Sequence, residues 1–201
     1  MDVISMHQAG FDNATASLGT AFTIQQAMLL KRYTDKVYLA YDSDGAGVNA
    51  AQKAIPILRE VGISARVINM QPYKDPDEFM KNLGAEEFEK RIAQAESSLM
   101  FQVRIAAGNY NQQDPEGRTQ FQQEVVKLVS VLKDPLERDN YIEAIANQYF
   151  IDKKKLTDSV NRYGKYQMER KQYQEAVQEE TPQDTRKRER LEERKQQPQR
   201  L

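Results

Sequence analysis

The chain has 201 residues, 29 basic against 30 acidic, a formal net charge of -1 and no cysteine. The near-neutral charge excludes bulk electrostatic attraction to nucleic acid or membrane, so such binding requires local patches. The missing cysteines exclude disulfides and cysteine-based zinc sites, and no apolar run is long enough to span a membrane.

The first 95 residues alternate between helical and extended patterns. Residues 3–9 read as a short helix stopped by Gly10, and residues 13–18 as a strand leaving through Gly19-Thr20. Residues 23–33 read as a helix with Ala27, Leu29 and Leu30 as core candidates, and Val37 to Tyr41 as the central strand. Residues 46–61 form the next helix, with Ala50, Ala54, Ile57 and Leu58 inward, Pro56 as a kink candidate and Gly62 as the stop. Residues 65–70 alternate like a strand; residues 77–83, closed by Gly84, and 86–95 read as helices. This order predicts an α/β fold with a parallel sheet flanked by helices.

After Ala95 the strand signals stop. Residues 99–107, 119–132, 136–150 and 153–163 read as helices, with 109–117 as a loop and Asp134-Pro135 and Asp152 as helix starts. This predicts a small all-α subdomain over 96–163. From Lys165 on, ten basic and eight acidic residues remain among Gln and Pro, a charged tail that is either a linker or a lone solvated helix. The expected domains are therefore 1–95, 96–163 and 164–201. Nothing at Met1-Asp2-Val3 resembles a signal peptide, so the expected location is the cytoplasm.

The chemistry concentrates at two acidic segments. Asp42-Ser43-Asp44-Gly45-Ala46-Gly47 follows the central strand, and Lys74-Asp75-Pro76-Asp77-Glu78 follows the next one. Parallel sheets deliver ligand-binding residues at their carboxyl ends. Asp42 and Asp44 flank one residue and so share a side in extended chain. Clustered carboxylates repel unless a cation lies among them, and hard oxygen ligands suit Mg²⁺ or Mn²⁺. The plain alternative is a pair of acidic turns capping the helices that follow. Ser17, Gly19 and Thr20 lie at another predicted strand end and suit a phosphate or nucleotide contact, with an ordinary turn as the alternative. Asp2 is a helix cap that is compatible with a site role. His7, the only histidine, has no partner for catalysis nearby and reads as a surface or packed residue, and Lys153-Lys154-Lys155 as a solvated helix start.

Met1-Asp2-Val3, His7-Gln8-Ala9-Gly10, Ala16-Ser17-Leu18-Gly19-Thr20, Tyr41-Asp42-Ser43-Asp44-Gly45-Ala46-Gly47 and Lys74-Asp75-Pro76-Asp77-Glu78 resemble, in order and spacing, the TOPRIM region of bacterial replicative DNA primases. Lys133 to Tyr141 resembles the helical subdomain that follows it in that family. The resemblance implies synthesis of short RNA primers from ribonucleoside triphosphates on a single-stranded DNA template. It implies Mg²⁺ or Mn²⁺ as cofactor, metal binding by Asp42 and Asp44, and completion of the acidic catalytic cluster by Asp75, Asp77 and Asp2. In the family a metal-binding Glu precedes the Met by three residues. The resemblance therefore implies a chain cut inside its active-site motif, inactive alone, with zinc confined to an absent N-terminal module. It also implies that the replicative helicase is bound through a domain not present here. The competing readings are a non-catalytic docking module and another TOPRIM enzyme, a nuclease or topoisomerase.

Overall fold

The computed structural model describes residues 1–17 and 21–179, the side chains of 176–179 excepted. Two compact units result, Met1–Glu124 and a second beginning at Val125.

The first unit is a mixed α/β layer. In chain order it holds α1 (Asp2–Gln8), α2 (Ile24–Lys31), β1 (Lys36–Leu39), α3 (Gly45–Glu60), β2 (Ser64–Val67), α4 (Pro76–Ala93), β3 (Glu96–Ser97), α5 (Ser98–Asn109) and the start of α6 (Pro115–Ser130). The sheet order is β1-β2-β3. β1 and β2 pair in parallel with Val37 opposite Ala65 and Leu39 opposite Val67, whereas β3 pairs antiparallel with β2.

Helix starts follow local chemistry. Thr23 and Gln26 form a reciprocal capping box at α2, and Asp44, Asp75 and Ser97 each accept from a backbone N–H at α3, α4 and α5. These are strong N-cap residue types because they satisfy donors the helix leaves unpaired. Gly62 ends α3 at a φ of 75° and Gly84 breaks α4 at 74°, a backbone region that only glycine enters cheaply.

Three apolar clusters hold the layer. Met6, Ile68, Met70, Phe79, Phe88 and Ala95 join α1, α4 and the chain beyond β2. Ala27, Ala54, Leu58, Ile63 and Ala65 join α2, α3 and β2. Ala51, Ile55, Val67 and Phe101 join α3, β2 and α5. Phe88 packs edge-on to Phe79 at 5.7 Å and to Phe11 at 5.0 Å, and Tyr73 meets Phe79 at 5.9 Å, each a favourable quadrupole arrangement.

Several expectations need correction. Residues 13–17 form no strand. Asn13, Ala14, Thr15, Ala16 and Ser17 offer little apolar area, and extended chain without a paired neighbour leaves its hydrogen bonds unmade. Strands do not stop at Ala95, because β3 follows it; two polar residues carry no alternation to read. Only one strand pair is parallel, not three strands in series. Leu29 is 53% exposed rather than core. The buried face of α3 is Gly47, Ala51, Ala54, Ile55 and Leu58, so Ala50 and Ile57 are only partly covered, and the helix runs through Pro56. α6 starts at Pro115, inside the expected loop, because Asp114 accepts from the Gly117 N–H at 2.9 Å.

In the second unit, α7 (Pro135–Tyr149) starts at Asp134 with Pro135 in its first turn, as expected, and packs on α8 (Lys153–Glu179). Ile142, Ile145, Leu156 and Val160 are buried there. α8 continues to Glu179, so the solvated-helix alternative holds that far, with Lys165–Glu169 and Lys171–Glu175 pairs spaced one turn apart. The tail from residue 180 on lies outside the described residues.

Phe79 is fully buried between Tyr73 and Phe88. Phe79→Ala is expected to lower unfolding stability by about 3–5 kcal/mol, through lost transfer energy and a cavity, as read by urea denaturation.

Candidate metal centre

The centre is built where two chain segments leave the sheet and enter helices. Asp42 lies three residues past β1 and Asp44 caps α3, its Oδ1 accepting from the Gly47 N–H at 2.9 Å. Asp75 caps α4, accepting from the Glu78 N–H at 2.8 Å, while the Glu78 carboxylate accepts from the Lys74 N–H at 2.7 Å.

The two segments are stitched together through Ser43. Its N–H donates to the Lys74 carbonyl at 2.7 Å and its hydroxyl to the Tyr73 carbonyl at 2.9 Å. Gly47 makes the first turn possible. A Cβ there would stand 2.1 Å from the Asp42 carbonyl oxygen, inside the main chain. Gly47 thus serves twice, as the N–H donor to the Asp44 cap and as the point of closest approach to Asp42.

Asp42 stands in a field of like charge. Burial first, then repulsion from Asp2, Asp44 and Asp75, holds its carboxyl above the usual carboxylate range, with Lys74 opposing. Its carboxylate accepts no hydrogen bond among the described residues, whereas Asp44 and Asp75 each commit an oxygen to a cap. Asp2, in the first turn of α1, joins the same field.

Asp77 is placed differently. Its two oxygens are taken by the Ser5 hydroxyl and by Lys81, the latter at 2.6 Å, tying α1 to α4. Those two hydrogen bonds hold its carboxyl below the usual range. It does not figure in the field at Asp42. Ser17 lies in irregular chain, and Gly19 and Thr20 lie outside the described residues. His7 is exposed and bonds the Ala14 carbonyl at 2.8 Å. Lys153 pairs with Glu143 at 2.8 Å.

Among the described residues no group of three or more His, Asp or Glu side chains is gathered closely enough to hold a metal ion. The capping alternative holds for Asp44 and Asp75. The donor set nevertheless fits a hard divalent cation: it consists of oxygens only, it is mutually repulsive, and its central carboxylate is left without a protein donor.

One feature escaped sequence reasoning. A cleft of about 410 Å³ opens beside Asp42 and Ser43, between α3, the end of β2 and α5. Arg91 and Arg104 lie on its wall. Arg91 lies on α4, several turns beyond the acidic motif that opens it, and Arg104 on α5, and nothing in their local pattern marks them.

Residues 1–80 match the Toprim-like family, and residues 99–153 match the DnaB-helicase binding domain of primase. The DNA primase of Clostridium acetobutylicum is 38% identical over 161 residues, covering 80% of this chain and 27% of the relative. A solved DnaG catalytic core has 29% identity and a TM-score of 0.63 over 78% of this chain and 51% of that one. A DnaG primase catalytic domain bound to single-stranded DNA has 30% identity and a TM-score of 0.61 over 73% and 48%. The chain belongs to the bacterial DNA primase family. This primase segment spans about a quarter of the length of the curated relatives it matches. The match over 99–153 corrects the expectation that no helicase-binding domain is present. That expectation sought a separate domain beyond the tail, whereas the match falls on α5 to α7 and the start of α8. Among the described residues no helix is long and apolar enough to cross a membrane.

Two outcomes follow from the geometry. Gly47→Ala forces a clash with rigid main chain and is expected to cost about 1–3 kcal/mol in urea denaturation. Asp42→Asn tests the field. The native state keeps Asp42 protonated to higher pH than the unfolded chain does, so this group's contribution to stability falls as pH rises from about 3.9 through the raised native value. The variant should therefore melt higher than the parent at pH 7, and the difference should vanish near pH 3, where both side chains are neutral.

Proposed function

We propose that this chain is part of the catalytic apparatus of a DNA primase, which joins ribonucleoside triphosphates into short primers on single-stranded DNA. The support is the convergence of Asp2, Asp44 and Asp75 on Asp42 at the exit of a parallel strand pair, in a chain of this family. Residues 1–95 form the TOPRIM-like part, 96–163 the helical part and 164–201 a charged extension.

Asp42 and Asp44 would hold Mg²⁺ or Mn²⁺, with Asp75 and Asp2 completing the negative field. When bound, the cation supplies charge stabilisation to a transferring phosphoryl group. The chain's own residues do the positioning. Ser43 locks the Asp42 turn onto the Asp75 turn, Gly47 lets α3 close over it, and the caps orient Asp44 and Asp75. Lys74 limits the repulsion that Asp42 meets. Asp77 acts as a positioning residue, because its Ser5 contact fixes α1, and with it Asp2, against α4, while Lys81 on the same helix holds its second oxygen. The phosphate role expected of Ser17, Gly19 and Thr20 remains part of this proposal, resting on sequence alone.

A second function is favoured by the match over 99–153. We assign this helical region to docking of a replicative helicase. Leu136 at the start of α7, 76% exposed, offers an apolar side chain on that segment.

The metal assignment is tested by titrating the chain with Mn²⁺ and following paramagnetic loss of backbone NMR signals. Signals of residues 42–47 and 74–78 should broaden at concentrations on the order of millimolar, typical of weak oxygen sites. Asp42→Ala should remove the effect without loss of fold. Uniform or absent broadening would overturn the assignment. Residues 1–163 grafted into the C. acetobutylicum primase supply the activity readout. If the unsubstituted graft makes primers, Asp42→Ala in it should reduce synthesis roughly a hundredfold or more.

A further inference from the structure

The cleft beside Asp42 has a composition that the acidic centre does not explain. Its floor is apolar: Ala51, Val67 and Phe101 are buried, and Val48 and Ile105 are partly covered. Its rim carries the carboxamides of Gln71 and Gln94, neither with a side-chain partner among the described residues. Its cations are already neutralised. Arg104 donates through Nε and Nη2 to the Glu96 carboxylate, both at 3.0 Å, and lies 5.3 Å over the Phe101 ring. Arg91 donates to the Asn69 carbonyl at 3.1 Å, stands 3.7 Å from Glu87 and lies 5.5 Å over Phe79.

These features select a ligand class. A polyphosphate needs unpaired cations, and here both guanidinium groups are committed to carboxylates. A purely apolar ligand would leave the two carboxamides and the polar rim without a role. A planar heterocycle with donors and acceptors on its edge satisfies both. It gains from burial against apolar side chains and from stacking on an aromatic or guanidinium plane, and amide side chains read its edge. The volume, about 410 Å³, lies in the range of small-ligand sites. The cleft opens at Asp42 and Ser43, so a ligand held there presents its far end to the acidic centre.

We propose that this cleft binds the nucleoside moiety of a nucleoside triphosphate, with Gln94 and Gln71 on the base edge, and directs the polyphosphate toward Asp42. The proposal rests on the acidic centre being the metal site. It adds a base subsite and assigns Gln94 as the residue that positions it.

The test follows backbone NMR shifts of the whole chain with three probes: adenosine alone, inorganic tripolyphosphate with Mg²⁺, and ATP with Mg²⁺. Adenosine should move Val67 to Gln71 and Gln94 and leave 74–78 unmoved. Tripolyphosphate with Mg²⁺ should move 42–47 and leave Val67 to Gln71 and Gln94 unmoved. ATP should move both sets and bind more tightly than either part. Gln94→Ala should weaken adenosine and ATP roughly tenfold, the loss of one or two hydrogen bonds, with tripolyphosphate unaffected. Ile105→Trp, which fills the floor, should abolish adenosine shifts; Gln94→Ala, at an exposed position, keeps the test decisive if that variant fails to fold. If adenosine leaves the cleft unmoved while tripolyphosphate still moves 42–47, the base subsite is overturned and the metal site stands. If tripolyphosphate with Mg²⁺ leaves 42–47 unmoved, the metal site fails, and with it the link between cleft and Asp42, whatever adenosine does.

Discussion

Ser43 is the pivot of this structure. Its two hydrogen bonds, to the Lys74 and Tyr73 carbonyls, bring together two turns thirty residues apart in sequence. Without them each acidic turn is a helix cap and nothing more. With them, Asp75 is brought into the field around Asp42 and raises the cost of charging it. The pivot works because Gly47 has no side chain. α3 closes onto the Asp42 backbone so tightly that a single methyl group would overlap it.

The centre is held together against its own repulsion. Gathering like charge destabilises the folded state at neutral pH, and the compensation comes from the apolar layer behind it. Tyr73, the residue before Lys74, packs on Phe79, which packs on Phe88, so the second acidic turn is anchored through a chain of aromatic contacts. Asp77 adds a polar anchor on the same helix, holding Ser5 and Lys81 at once. A field of carboxylates held in place by packing rather than by mutual hydrogen bonds is suited to receive a cation. Binding then relieves the repulsion, and the geometry needs little reorganisation.

The caps illustrate that structure and chemistry need not compete for one residue. Asp44 and Asp75 each satisfy a backbone donor with one oxygen, and this fixes the direction of the carboxylate. A carboxylate has lone pairs beyond the one a cap uses. The capping alternative and the metal assignment are therefore compatible for these two residues. Asp42 differs because it caps nothing and is free to take the central position.

The sequence by itself determined the acidic motifs, the glycine stops, the helix starts at Asp134 and Asp152 and the strand, helix, strand order between Val37 and Met70, because each is a local rule of backbone conformation or hydrogen-bond chemistry. It also carried the likeness to primases, since five short segments kept their order and spacing. Tertiary structure decided the rest. Residues 13–17 lack a paired neighbour and form no strand, while Glu96–Ser97 becomes one because Arg66 and Val67 are there to pair with it. Asp77 is engaged by the hydroxyl of Ser5, which α1 brings to it. The cleft, with Arg91, Gln94 and Arg104, was invisible in sequence because its walls come from segments that meet only when α5 packs against β2 and α3. Long-range contacts of this kind leave no local pattern in the chain, and burial and pairing, which depend on them, are settled only on folding.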